Sequence, residues 1–388
     1  MKVPLKAVQI LFASAVSSSS STFAATFVAR SAGAIASAFI ANNSSKSSTI
    51  RKTTSSSSSY PRQGHTMALA SFPTIPLRDG TPHPAIGFGT YKVGFVPASS
   101  SSLVAGGNSA PSDVGSQVSA CDCIGDALEV GYRFIECAEF YGNEAEVGRA
   151  IKASGISRDE LFLCSKVWTT TIEKGEDAIR AQLDKTLADL GTDYVDLYLI
   201  HWPVPGKHVE AYKTLEKLQR DGKVRNIGVS NYAVEDYMEL LEGGITTMPA
   251  VNQIEINPFL YRKNTIDYFR KEGVVLQSYR SLRDGKAMDH PVLVRIGATH
   301  SRSPAQILGR WCIQHGFVYV PKSVKVERMA ENARVFDFEL SEEEMEELDG
   351  LTTAEALDTF KSLYQKCVNR DTTKDGTMEG VKMNITVD

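Results

Sequence analysis

Short runs rich in β-branched and apolar residues alternate along the chain with longer stretches whose apolar positions recur at helical spacing. The runs lie at residues 86–89, 134–136, 161–166, 195–201, 224–229, 250–255, 274–278 and 317–320. Each has the length of a strand. The stretches between them carry helix punctuation. Ile179, Leu183, Leu187 and Leu190 share one helical face, and Gly191 ends it. Ser303, Pro304 and Gln306 supply a cap, a first-turn proline and a capping-box partner ahead of Ile307, Leu308 and Trp311. Ser341 with Glu344 opens a later helix that Gly350 closes. Strands alternating with helices predict a parallel sheet, and eight units within about 260 residues fit a closed (β/α)8 TIM barrel of the α/β class. A hairpin precedes it, with residues 74–77 and 82–85 flanking the Asp79-Gly80 turn, and extra helices follow it.

Two regions fall outside this pattern. Residues 95–119, rich in Ser, Gly and Ala, lack the apolar content to pack and predict a flexible insertion between the first strand and the first helix. Residues 1–66 hold seven basic residues (Lys2, Lys6, Arg30, Lys46, Arg51, Lys52, Arg62) and no acidic one. A short apolar run after Lys2 and Lys6, then a Ser/Thr/Ala-rich basic stretch, has the composition of a targeting presequence read as an unfolded chain. Residues 36–39 (ASAF) resemble the cleavage motif of two-part plastid presequences. Plastid is the favoured destination, with mitochondrion as the alternative, or cytoplasm if translation starts at Met67. The barrel domain is placed at 67–388, ending in a C-terminal helix and tail from about residue 352.

Charge changes the reading of partners. The whole chain carries 42 basic and 46 acidic residues, so without the presequence 35 face 46 and the body has a net charge of −11. An anionic body without a basic stripe argues against nucleic acid. The apolar run at the start is too short to span a bilayer. Six scattered cysteines are not a disulfide framework, and Cys121 with Cys123 lacks the companions of a zinc site. The dispersed histidines predict no metal centre.

In such a barrel the chemistry sits at the C-terminal ends of the strands. The ionisable residues there are Glu136 and Tyr141 after the second strand, Lys166 on the third and His201 on the fourth. Reducing a carbonyl needs a proton donor where charge develops on oxygen. A phenol holds its proton at neutral pH, a neighbouring ammonium lowers its pKa, a carboxylate holds the ammonium, and an imidazole bonds the same oxygen. Singly, each residue reads as packing or solvated surface; together they divide one task.

These residues lie in longer motifs. Residues 131–144 (GYRFIECAEFYGNE, with Gly148 following), 163–168 (LCSKVW) and 196–203 (DLYLIHWP) resemble the signatures of the aldo-keto reductases, and the likeness runs in order from about Pro73 to Leu340. The resemblance implies an NADPH-dependent reductase of aldehydes and ketones in which Tyr141 donates the proton, Lys166 activates it and His201 orients the carbonyl. Glu136 stands where the family usually has Asp. One added methylene displaces the carboxylate by more than about 1 Å unless the backbone adjusts, so an altered pH–rate profile is expected.

The segment 320–332 (VPKSVKVERMAEN) leaves the eighth strand and enters a helix, where free N–H groups favour anions. Taken alone, it is an ordinary basic helix start. Within the resemblance it matches the clamp on the adenosine phosphate, formed by Lys322, Ser323, Val324, Arg328, Glu331 and Asn332, and implies NADPH over NADH. Gly87 and Gly89 do not complete a Rossmann fingerprint. The resemblance further places Ser230, Asn231 and Gln253 at the carboxamide, Tyr279 against the nicotinamide ring, and Thr90, Tyr91 and Glu136 beside the cofactor. Tyr91, Trp168, Trp202 and His201 would line the substrate pocket. A monomer is expected. The alternative is a weakly catalytic, NADPH-binding regulatory or structural member of the same fold. A sugar- or phosphate-processing barrel of unrelated mechanism leaves the Lys322–Arg328 segment without a purpose.

Overall fold

The computed structural model describes residues 72–94 and 119–369. The expected presequence, nearly all of the expected 95–119 insertion and the last residues of the tail lie outside them. Ser119, expected in the insertion, instead caps the first helix by accepting a hydrogen bond from Asp122 N at 3.0 Å.

A two-stranded hairpin comes first: β1 (Thr74–Pro76) and β2 (Pro82–Pro84), antiparallel with Ile75 opposite His83. Asp79 sets the turn by accepting from Thr81 N at 2.9 Å, and Gly80 adopts φ 86°. Eight strands follow: β3 (Phe88–Gly89), β4 (Phe134–Glu136), β5 (Phe162–Val167), β6 (Val195–Ile200), β7 (Val224–Ser230), β8 (Val251–Glu255), β9 (Val275–Tyr279) and β10 (Val318–Tyr319). They pair in parallel and in sequence order. A parallel bridge between Ile86 and Tyr319 returns the ladder on itself. All eight predicted runs are strands, and the fold is the expected (β/α)8 barrel.

Each long strand feeds two layers because successive side chains point to opposite faces. On β6, Leu197 and Leu199 enter the barrel interior with Leu77, Phe134, Phe162 and Val251, while Tyr198 and Ile200 pack under the helices. The hairpin plugs the N-terminal end of the barrel, where His83 meets Phe134 and Phe162 at ring distances of 4.7 and 4.2 Å. Gly87 makes room for the Phe134 ring beneath that plug: a Cβ there would lie 2.2 Å from it.

The helices are α1 (Ala120–Val130), α2 (Glu144–Ser154), α3 (Thr169–Glu173), α4 (Glu176–Leu190), α5 (His208–Arg220), α6 (Val234–Glu242), α7 (Lys263–Lys271), α8 (Pro291–His300), α9 (Pro304–Gln314), α10 (Val326–Ala333), α11 (Glu342–Asp349) and α12 (Ala354–Asn369). The punctuation read from sequence is present: α4 stops at Gly191 with φ 68°, and α9 and α11 open on capping boxes at Ser303 and Ser341. Gly148 lets α2 lie directly on the end of α4, since a Cβ would meet Asp189 O at 2.1 Å. No helix among the described residues is long and apolar enough to cross a membrane.

The two C-terminal helices differ in role. On α9, Trp311 donates to Asp349 at 2.7 Å and so ties α11 to the barrel wall. In contrast, α12 crosses the open end. Its Phe360, Tyr364 and Val368 form a third apolar cluster with Trp168, Trp202, Ala233 and Leu260. Tyr364 OH donates to Asp236, and Thr352 anchors the approach by donating to Pro258 O at 3.0 Å.

Candidate active site

The C-terminal ends of β4, β5 and β6 bring the four predicted groups together. Glu136 is the last residue of β4. A 3-10 turn (Glu139–Tyr141) then folds the chain back, with Tyr141 N donating to Ala138 O at 3.0 Å, so Tyr141 stands over the residue it follows. Its hydroxyl donates to Glu136 Oε1 at 3.0 Å and accepts from Lys166 Nζ at 3.0 Å. Lys166, fully buried on β5, also donates to Glu136 Oε1 and to the Cys137 carbonyl at 3.0 Å. The longer glutamate therefore reaches both partners. His201, immediately after β6, presents its ring edge to Tyr141 at a centroid distance of 5.8 Å.

Electrostatics here depart from the sequence expectation that Lys166 lowers the Tyr141 pKa. Burial dominates. It pushes the Tyr141 phenol well above its ordinary value and the Lys166 ammonium well below its own. A phenol so placed keeps its proton at neutral pH until a stronger base appears.

Apolar surface surrounds the hydroxyl. Phe140 stacks on Trp168 at 4.0 Å and 22°, Trp168 meets His201 edge-on at 4.9 Å, and Tyr91 lies 5.1 Å from Tyr141. Trp202 continues the same apolar cluster, 6.2 Å from Tyr364 beneath α12. Sequence reasoning missed Phe140, Phe360 and Tyr364. Phe140 directly precedes Tyr141 in a turn, so its apolar character was the available signal. For Phe360 and Tyr364 no local signal exists, because only docking of α12 brings them here.

A polar platform adjoins this wall. Asn231 takes φ 60° at the end of β7; its side chain donates to His201 O at 3.0 Å and accepts from Tyr279 OH at 2.7 Å. Ser230 donates to Gln253 O at 2.9 Å. Six described non-glycine residues have positive φ, and five of them (Lys92, Asn231, Arg280, Arg283, Asp284) follow the C-terminal ends of β3, β7 and β9. Backbone strain concentrated at one rim is a mark of function. Thr90 turns its hydroxyl inward to the Glu136 backbone carbonyl at 3.0 Å and so fixes the strand end that carries the carboxylate.

The remaining predicted residues lie on the loop after β10 and on α10. Ser323 caps that loop, accepting from Lys325 N at 3.1 Å, and its carbonyl accepts from the Cys123 thiol at 3.4 Å. Lys322 and Arg328 make no ion pair among the described residues. Lys322 is exposed on the surface; partial desolvation, opposed by Cys123 and reinforced by nearby Lys92, draws its pKa down. Val324 is exposed, Glu331 half-buried and Asn332 buried. Unneutralised cations at a helix start whose first N–H groups are free suit a phosphate. Among the described residues, no group of three His, Cys, Asp or Glu side chains is placed to hold a metal.

A closed parallel barrel with a buried Tyr–Lys–Glu–His set at its C-terminal rim defines a class of oxidoreductase, and the comparisons agree. The Aldo/keto reductase family model matches residues 102–353. Glyoxal reductase of Bacillus subtilis is 41% identical over 282 residues, covering 73% of this chain and 94% of that protein. An aldo/keto reductase structure from Brucella melitensis is 34% identical at a TM-score of 0.63, spanning 72% of this chain and 99% of that one. The Bombyx mori aldo-keto reductase, solved in complex with NADP, is 28% identical at a TM-score of 0.64 over 73% of this chain and 94% of that one. This chain belongs to the aldo/keto reductase family, whose general chemistry is carbonyl reduction.

Proposed function

We propose that the chain reduces aldehydes or ketones to alcohols with hydride from NADPH, and that Tyr141 supplies the proton. The observation that carries this is the Tyr141 hydroxyl, held at 3.0 Å between a buried ammonium and a buried carboxylate beside an imidazole edge. When hydride reaches the carbonyl carbon, charge gathers on oxygen. Tyr141 releases its proton to that oxygen, and Lys166 stabilises the phenolate left behind. Glu136 balances the Lys166 charge within the buried site. His201 holds the carbonyl oxygen against Tyr141.

NADPH supplies the hydride when bound. The residues fit it: Lys322 and Arg328 would take the 2′-phosphate, Ser230, Asn231 and Gln253 the carboxamide, and Tyr279 the ring. Phe140, Trp168 and Trp202 under the α12 roof favour an apolar or small carbonyl compound. The similarity to a glyoxal reductase puts dicarbonyls first in any panel. The basic, acid-free residues 1–66 are proposed as a plastid address, to be checked by the destination of a fluorescent fusion.

The test is NADPH oxidation by the purified chain over a panel of aldehydes, ketones and dicarbonyls, with Tyr141→Phe as control. Turnover that falls at least about 100-fold in the variant, with NADPH binding kept, is the expected result. Tight NADPH binding without turnover on any carbonyl would refute the catalytic reading.

A further inference from the structure

Beneath the Ser230–Asn231 platform, the barrel interior holds a file of polar side chains. Gln253 on β8 and Gln277 on β9 stand opposite each other in register, and both are almost fully buried. Gln253 Nε2 donates to Gln277 Oε1 at 2.8 Å. Gln277 Nε2 lies 2.7 Å from His83 Nε2, and His83 Nδ1 lies 2.8 Å from the Pro84 carbonyl. The hairpin plug is thus linked to a strand that carries part of the platform.

The polarity of this file is fixed from its lower end. Pro84 O can only accept, so Nδ1 of His83 carries the ring proton. Burial against Phe134 and Phe162 pulls the His83 pKa down to about 4, so the ring is neutral and Nε2 is an acceptor. Gln277 must then turn its N–H2 toward His83 and its oxygen toward Gln253. Gln253 must in turn give its N–H2 to Gln277. Its Oε1 is left as an acceptor to which no group among the described residues donates. Reversing either amide would set two donors or two acceptors face to face in a dry interior, at a cost of one or more buried hydrogen bonds.

We propose that His83 and Gln277 are positioning residues for the dinucleotide: through two buried amides they hold Gln253 as an acceptor for the N–H2 of the nicotinamide carboxamide. The proposal rests on the NADPH reading above. Neither residue touches the cofactor. Their effect is on which end of the Gln253 amide the carboxamide meets.

The test uses the full chain and reads binding directly, by NADPH quenching of tryptophan fluorescence. His83→Leu and, independently, Gln277→Met should each weaken NADPH about tenfold, the net worth of one oriented hydrogen bond. Adenosine 2′,5′-bisphosphate, which lacks the nicotinamide, should bind both variants as it binds the unaltered chain. So should the 3-acetylpyridine analogue of NADPH, which has no carboxamide N–H to donate. His83→Gln, which keeps an oxygen acceptor for Gln277, should recover most of the loss. Unchanged NADPH affinity in both variants overturns the proposal. So does a loss shared equally by the bisphosphate and the acetylpyridine analogue, which would mean a merely structural role. Failure of the unaltered chain to bind NADPH would instead overturn the cofactor reading itself, and the positioning role with it.

Discussion

Replacing Glu136 by Gln keeps the length and volume of the side chain and removes only its charge. In the native site, Glu136 Oε1 accepts from both Lys166 and the Tyr141 hydroxyl, and Lys166 is fully buried. Taking one partner from a buried ion pair costs about 3–5 kcal/mol. Lys166 keeps two acceptors, the Cys137 carbonyl and the Tyr141 oxygen, both at 3.0 Å. The lower end, about 3 kcal/mol, therefore applies, and it corresponds to a fall in Tm of about 4–5 °C for a domain of this size. The sign with pH follows from Lys166. Burial already depresses its pKa in the folded state, and without the carboxylate nothing opposes that. The unfolded chain then binds more protons than the folded one up to the ordinary lysine value near about 10.4, so the variant gains stability as pH rises toward it. The gap between the two melting curves should be widest at neutral pH and narrow by about pH 10. Catalysis should fall more than about 100-fold at neutral pH, because a neutral amine does not stabilise phenolate. Paired thermal melts across pH and NADPH-oxidation kinetics make the assay. A Tm within about 2 °C of the parent, a pH-independent gap and near-native turnover would refute the ion-pair reasoning.

Other outcomes follow from the same structure. Arg328 stands exposed and without an ion pair among the described residues at the start of α10, so Arg328→Ala should weaken NADPH about tenfold or more while leaving NADH binding unchanged, as measured by fluorescence titration. Glu144 is buried, and burial raises its pKa against the opposing hydrogen bonds from Ser165 at 2.5 Å and Thr186 at 3.0 Å. Its contribution to stability is present below the ordinary carboxylate range and is lost as pH rises through the raised value, so Glu144→Gln should flatten that stretch of a Tm–pH curve. At Gly148 the added methyl of Ala would meet the backbone of α4 at 2.1 Å, where no side chain can move aside. Overpacking of that kind costs about 1–3 kcal/mol, visible as a lower Tm with KM for NADPH unaffected.

Much of this architecture was legible because the signals are local. Strand-length apolar runs, helical spacing, capping boxes at Ser303 and Ser341, and the stop at Gly191 each act within a few residues, and all of them appear where they were read. The residue types at the strand ends were also legible: a barrel places Glu136, Lys166 and His201 on one face once its strands are identified. The direction of the Tyr141 pKa was not, because it depends on how much water the packed site excludes, and no spacing reports that. Ser119, read as the last residue of the insertion, is the cap of the first helix; its cap bond is local, but the Ser, Gly and Gln residues just before it gave no contrast.

The sequence by itself thus determined the alternation of strand and helix, the barrel that alternation requires, and the inventory of reacting groups at one rim. Tertiary structure alone decided that Glu136 spans the distance to Lys166 and Tyr141, that α12 roofs the pocket with Phe360 and Tyr364, and that His83 meets Gln277 across 194 positions of chain. The reason is physical. Periodicity encodes which face of an element is apolar. Which distant side chains share a hydrogen bond, and how dry their surroundings are, is fixed only when the barrel closes.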